Sequence, residues 1–226
     1  MKLKDFFYEL PAELIAQEPL PERDKSRLLV LDRKTGSIQH RVFEEVIEFL
    51  EAGDCLVMND TRVIPARLLG RRQDTGGRIE VVLIRRISGD RWEVILRPGR
   101  KAKPGVRFEF GGGELKAEVL DVLDEGNRLL EFEYDGEFYD VLDRVGVVPL
   151  PPYIKKGIKD GERYQTVYSR VRGSAAAPTA GFHFTPGLLD KIKGKGVRVV
   201  FLTLHIGLGT FRPVKTENIE EHKKKK

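Results

Sequence analysis

"RIEVVLIRRISGDRWEVILRP", residues 78–98, alternates apolar and polar side chains on both sides of Ser88-Gly89-Asp90. Alternation with a period of two marks a half-buried strand, and Ser-Gly-Asp is turn chemistry, so the stretch reads as two antiparallel strands. The same grammar extends outward. "VRFEFGGGELKAEVLDVL" (106–123) and "NRLLEFEYDG" (127–136) alternate likewise, punctuated by Lys103-Pro104-Gly105, Gly111-Gly112-Gly113 and Glu125-Gly126-Asn127. From about Ala66 to Gly136 the chain is therefore strands only, which predicts a small antiparallel barrel.

Both flanks have a different character. Upstream, "LLVLDRKTGSIQHRVF" (28–43) predicts a hairpin turning at Lys34-Thr35-Gly36, "EEVIEFLEAG" (44–53) an amphipathic helix stopped at Gly53, and "CLVMN" (55–59) a buried strand. Downstream come a helix-like "EFYDVLDRVG" (137–146) and a rigid "PLPPYI" (149–154). Thr185 before Pro186 is a helix start, with Thr as N-cap and Pro at the first helical position, and Gly194 and Gly196 are stop signals. "VRVVFLTLHI" (197–206) then reads as a second buried strand. The expected fold is an α/β main domain (residues 1–65 and 149–226) with an inserted small antiparallel all-β, barrel-like domain (66–148).

Composition sets the surroundings. The 226 residues are 40% hydrophobic with a formal charge of +5, and neither the start "MKLKDFFYEL" nor any later window is apolar enough for a secretory or membrane-spanning segment. A cytoplasmic location without a membrane partner is expected. Cys55 is the single cysteine, which excludes a disulfide within one chain and points to core packing in its apolar run. Charge is segregated along the chain. Residues 85–107 carry eight basic and two acidic side chains, whereas 109–143 carry twelve acidic ones against Lys116 and Arg128. The first run, with Arg97, Arg100 and Lys101, suits phosphate contact, although solvated sheet faces explain charge runs as well.

"GSAAAPTAG" (173–181) holds nine residues without a large side chain and runs into the helix that starts at Thr185. With "GLGTFRPV" (207–214) it brackets one helix–strand unit, and in α/β sheets the ligand crevice lies outside the carboxyl ends of the strands. Small residues let backbone N–H groups approach a ligand, so Ser174, Thr179, Gly181, Gly207, Gly209 and Thr210 are candidate binding residues. Alanines packing on a neighbour and glycines that only turn would read the same. "GLGTFR" has Arg212 where a dinucleotide fingerprint needs its third glycine, and no phosphate-loop motif occurs. "NDTRVIPARL" (59–68) places Asn59, Asp60, Thr61, Arg62 and Arg67 just after a strand, where polar groups can face a crevice; an Asx turn explains Asn59 and Asp60 equally. His183 and His205 lie beside the small-residue loops, and imidazole is the commonest general base or acid, with a satisfied core histidine as the alternative for each. His40, on the predicted hairpin, is expected at the surface.

Taken in order, "DFFYELPAELIAQEP" (5–19), "RDKSRLLVLDR" (23–33), "NDTRVIPARL", "GSAAAPTAGFHFT" (173–185), "HIGLGTFRPV" (205–214) and "ENIEEH" (217–222) resemble the S-adenosylmethionine:tRNA ribosyltransferase-isomerases of queuosine biosynthesis. The family continues beyond its "EEHK" with a Met-His-Ser-Glu-like stretch, whereas this chain ends in four lysines, so a longer natural protein is expected. The resemblance implies a tRNA-modifying transferase that uses S-adenosylmethionine (AdoMet) as ribosyl donor, with no prosthetic group and no metal. The ribosyl unit goes to the aminomethyl group of a 7-deazaguanine at the tRNA wobble position and isomerises to an epoxycyclopentanediol, with adenine and methionine released. In this frame His183, His205 and Asp60 are the catalytic candidates, the small-residue loops hold AdoMet, and Arg62, Arg67, Arg97, Arg100 and Lys101 contact RNA. A monomer is expected. A non-catalytic RNA-binding module and an AdoMet-dependent RNA methyltransferase are the rival readings.

Overall fold

The computed structural model describes residues 1–100, 102–123, 126–158, 160–207, 214 and 216–221. Its strands and helices are β1 (Arg27–Leu31), β2 (Ile38–Val42), β3 (Cys55–Asn59), β4 (Thr61–Val63), β5 (Arg67–Arg72), β6 (Arg78–Ser88), β7 (Arg91–Arg97), β8 (Arg107–Phe110), β9 (Leu115–Val122), β10 (Arg128–Tyr134), α1 (Phe138–Val145), β11 (Gly146–Val147), β12 (Val171–Ser174), α2 (Pro186–Gly194) and β13 (Arg198–Leu202). Short 3-10 turns join many of them.

Strands β5 to β10 pair antiparallel in the order β5-β6-β7-β10-β9-β8, and β8 returns to β5, closing a six-stranded barrel. Alternation along each strand fills the interior: Val81, Val94, Phe108, Leu115, Val119 and Leu130 are fully buried. Each such side chain contributes about 1.5–3 kcal/mol relative to exposure. Helix α1 covers the barrel with Phe138, Val141 and Leu142, and the Phe138 ring stacks on Trp92 at 5.2 Å. Closure depends on Gly70, which lies opposite Phe110. A Cβ there would sit 2.2 Å from the Glu109 carbonyl oxygen and 2.4 Å from the Phe110 ring.

The flanking parts are joined by long-range parallel pairs. β3 lies beside β13 (Val57 opposite Val200), and β4 beside β12 (Arg62 opposite Arg172). One face of β3–β13 packs Met58 against Leu188, Leu189 and Ile192 of α2 and against Phe43, Val46 and Ile47. The other face leaves Val57, Val200 and Leu202 exposed at 56%, 40% and 40%. Burial of these two strands, expected from their apolar runs, is thus one-sided, because parallel strands need a covering layer on each face and only one is present among the described residues. Cys55 opens β3 on the uncovered face and is exposed, which corrects its assignment to the core.

The hairpin β1–β2 turns as expected, with the Asp32 carboxylate accepting from the Lys34 and Thr35 amides at 2.8 and 2.9 Å. Helix α2 begins as read, Thr185 Oγ1 accepting from the Leu188 amide at 3.2 Å. The segment after β2 is a seven-residue 3-10 helix, Phe43–Phe49. Its length falls short of a self-sustaining α-helix, and Val46 and Ile47 are β-branched. No helix among the described residues is long and apolar enough to cross a membrane.

Candidate active site

β3 and β13 end together, Asn59 opposite Leu202, so the loops leaving them emerge on one edge. Asn59 holds these loops in register: its amide nitrogen donates to the Leu204 carbonyl at 2.9 Å, and its Oδ1 accepts from the Leu204 and Thr61 amides at 3.0 and 3.1 Å. Asp60 and Thr61 follow and are buried, at 2% and 1% exposure. The Asp60 carboxylate accepts from Thr203 Oγ1 at 2.6 Å and from the Arg170 guanidinium at 2.8 Å. The Thr203 hydroxyl and Arg170 hold its carboxyl below the usual carboxylate range against the opposing effect of burial. Stabilisation from a lowered carboxylate is complete above its unfolded pKa of about 4 and is lost as pH falls through the lower folded value. Asp60→Asn should therefore be less stable than the parent at neutral pH, and the gap should narrow as both are titrated below about pH 4, measured as denaturant midpoints. A gap independent of pH would show that Asp60 acts through shape and not charge.

His205 leaves the same edge. Its Nδ1 lies 2.8 Å from Thr61 Oγ1, and its ring covers Gly173. A Cβ on Gly173 would sit 2.8 Å from both Cε1 and Nε2 of the imidazole, and Gly173 has φ of +147°, where side chains are strained. The ring thus occupies space that only glycine leaves open. Beyond Gly173, Ser174 is fully buried, its hydroxyl donating to the Ala176 carbonyl at 2.6 Å and accepting from the Ile206 amide at 2.8 Å. The Ala175 and Ala176 amides both reach the Ile206 carbonyl, at 3.0 and 3.2 Å. The first small-residue loop therefore meets the start of the second, with Ala175 and Ala176 buried there, while Ala177 is buried against Val63 and Tyr164. Two amides and the Ser174 hydroxyl serve the junction between the loops. Among the described residues nothing lies within 4 Å of where a Gly207 Cβ would be.

The remaining candidates lie elsewhere. His183 ends a 3-10 helix, Thr179–His183, and its ring packs on Phe43 at 5.0 Å; none of its described contacts reaches the Asp60–His205 cluster. Thr179 is exposed, and Gly181 is buried under Tyr168, whose hydroxyl a Cβ would meet at 2.1 Å. Burial pushes the Tyr168 phenol up to about 12, which keeps it protonated. Arg62 bonds Glu162 and, at 3.1 Å, Ser169 Oγ; Arg67 pairs with Glu80 at 2.9 Å. The basic and acidic runs, separate in sequence, meet in the barrel, where Arg91 pairs with Glu131 at 2.9 Å and Arg107 with Glu118 at 2.7 Å, and within the basic run Arg85 pairs with Glu93 at 2.7 Å. Among the described residues Arg97 and Arg100 form no ion pair, and the buried Arg128 ties their loop by donating to the Gly99 and Ala102 carbonyls at 2.8 Å each. Lys101, Gly209 and Thr210 fall outside the described residues. Sequence reasoning missed Arg170, Thr203 and Gly173; the isolated glycine before Ser174 was the one available signal.

The model of a family described as "Queuosine biosynthesis protein" matches residues 3–226. The chain belongs to that family. It is 66% identical over 223 residues to a curated relative from Acetivibrio thermocellus named S-adenosylmethionine:tRNA ribosyltransferase-isomerase. Relatives of the same name from Thermoanaerobacter sp. and Caldanaerobacter subterraneus subsp. tengcongensis are each 59% identical over 223 residues. Each alignment covers 99% of this chain and 65% of the relative, so the chain spans a little under two thirds of their length. A crystal structure of an S-adenosylmethionine tRNA ribosyltransferase from Thermotoga maritima is 40% identical, with 90% of this chain and 59% of that chain covered and a TM-score of 0.37.

Proposed function

We infer that this chain carries the reacting centre of an S-adenosylmethionine:tRNA ribosyltransferase-isomerase. The observation that carries the reading is the meeting of His205, Thr61 and buried Asp60 at the shared carboxyl edge of β3 and β13, in a chain of the queuosine family. With Nδ1–H donating to Thr61 Oγ1, one of the two tautomers that the 2.8 Å contact admits, the imidazole would present an unprotonated Nε2, as a general base requires. It removes a proton from the ribose methylene beside the AdoMet sulfonium, leaving an ylide whose collapse opens the ring and expels adenine. The aminomethyl nitrogen of the 7-deazaguanine then attacks, and reclosure to the epoxide releases methionine. Asp60 stays ionised and orients Arg170 toward the edge of the site.

AdoMet lies where the loop 173–181 meets the start of the loop after β13, with Ser174 clamping the two and Thr179, Gly207, Gly209 and Thr210 as its contacts, while Gly181 serves by its close packing under Tyr168. Arg62, Arg67, Arg97, Arg100 and Lys101 face tRNA. Residues 66–148 form a β-barrel unit inserted between 1–65 and 149–226. The fact that β5 to β10 pair only among themselves and with β11 supports this division. The protein works as a cytoplasmic monomer.

Product analysis tests the reading. Incubated with AdoMet and tRNA carrying 7-aminomethyl-7-deazaguanine, the chain should release free adenine. S-adenosylhomocysteine instead would indicate methyl transfer, and tRNA binding without either product would leave an RNA-binding module.

A further inference from the structure

Arg62 and Arg172 lie directly opposite each other in the parallel pair β4–β12. Like charges in that position repel and destabilise a sheet unless something offsets them. Here each guanidinium has its own carboxylate, and the two carboxylates come from separate elements: Glu162 of the 3-10 helix Gly161–Tyr164 bonds Arg62, and Asp143 of α1 bonds Arg172 at 2.8 Å. Both acids face solvent, Glu162 with 67% and Asp143 with 46% of the side chain exposed. Such pairs hold weakly and exchange readily. Arg62 is the better anchored arginine, with 27% of its side chain exposed and a second bond to Ser169.

The two arginines open onto a cleft of about 370 Å³ whose walls include Val63, Pro65, Val148 and Ile158. That volume is of the order that holds a small ligand. Gln165, also on the wall, has its amide committed to the Val63 backbone N–H and carbonyl at 2.9 Å each, so the adjustable polar groups of the cleft are the two arginines and their partners Glu162 and Asp143, which line it too. Arg62 directly follows Thr61 and Arg172 directly precedes Gly173, and Thr61 and Gly173 are the two contacts of His205.

We propose that Arg62 and Arg172 form a subsite for one backbone phosphodiester of the RNA substrate, with the adjoining sugar and base against the apolar wall. Paired guanidinium forks match the two non-bridging phosphate oxygens. Glu162 and Asp143 are place-holders: they neutralise the arginines in the free protein and are displaced when the phosphate arrives. The subsite rests on the tRNA reading above and would fix the strand beside His205.

The test is titration of a fluorescent anticodon stem–loop RNA at several salt concentrations. R62Q/R172Q should lower affinity roughly three- to tenfold near 0.1 M salt and reduce the slope of log K against log salt by about 0.7 to 0.9 per lost phosphate contact. E162Q/D143N should do the reverse and bind RNA more tightly than the parent, by more than neutralising the two surface acids Glu18 and Glu48 does. Circular dichroism establishes that each variant is folded, and R62K/R172K, which keeps the charge, serves if the glutamine pair is not. Unchanged affinity and slope in both double variants would overturn the subsite while leaving the tRNA reading intact. No RNA binding by the unaltered chain would overturn that reading and the subsite with it. Displacement of RNA by inorganic phosphate beyond the matched effect of chloride, lost in R62Q/R172Q, would reassign the arginines to a free anion. Lower AdoMet affinity with unchanged RNA affinity in R62Q/R172Q would reassign them to the AdoMet carboxylate.

Discussion

Replacing Gly70 with alanine should open the barrel, at a cost of about 3 kcal/mol or more, the upper end of what overpacking produces. The added carbon would meet the Glu109 carbonyl oxygen at 2.2 Å and the Phe110 ring at 2.4 and 2.7 Å. The first of these is backbone, so the clash cannot be relieved by a rotamer change and β5 must part from β8. With it go the pairings of Gly70 with Phe110, Arg71 with Glu109 and Arg72 with Phe108, which alone close the ring. Gly187→Ala is the contrast. An added carbon there meets nothing within 4 Å, and the site lies in the first turn of α2. That change should be neutral or stabilising by about 0.5–1 kcal/mol, because alanine narrows the unfolded ensemble. Urea midpoints for the two variants decide the matter; equal midpoints would mean that the closing seam contributes little.

The second large effect concerns rate. His205→Ala should cut the chemical step by about a hundredfold to ten-thousandfold, with AdoMet and tRNA affinity changed far less, as loss of a general base does. Adenine release and solvent-deuterium exchange into the sulfonium methylene should fall together. Gly173→Ala should approach the same loss without touching the imidazole chemically, since its new carbon would force the ring off Thr61. His183→Ala, whose ring packs on Phe43, should retain exchange. If His183→Ala lost exchange and His205→Ala kept it, the proton-handling role would pass to His183.

The barrel was legible because its information is local. Period-two alternation and glycine turns at Gly89, Gly105 and Gly111–Gly113 are written within a few residues of the strands they join, and the cap of α2 is written in Thr185-Pro186. The parallel pairs were not legible, since nothing near Cys55–Asn59 names Arg198–Leu202 as its neighbour. Apolar content alone suggested burial for Val57, Val200 and Cys55, but burial depends on what covers a face, and that is a tertiary fact. The pairing of the charge runs was hidden for a related reason: adjacent barrel strands bring Arg91 to Glu131 and Arg107 to Glu118, so part of a contrast along the chain becomes ion pairs across the sheet. At the candidate site Asp60, Thr61 and His205 stood out as polar residues beside apolar runs. Their meeting, and the part of Gly173 in it, did not.

The parallel pairing of β3 with β13 also sets an order of events. Barrel strands pair mostly with near neighbours in sequence, so their loops close quickly, whereas Thr61 must wait for His205, 144 residues further on. Long loops close late because the entropy lost in bringing their ends together precedes any gain from the contact. On a ribosome the barrel would therefore be complete while one half of the edge that carries Thr61 and His205 was still unmade. The same lateness runs backwards in the finished molecule: amides around Asn59–Arg62 and Thr203–Ile206 should exchange with solvent sooner than those of β6, β7 and β10.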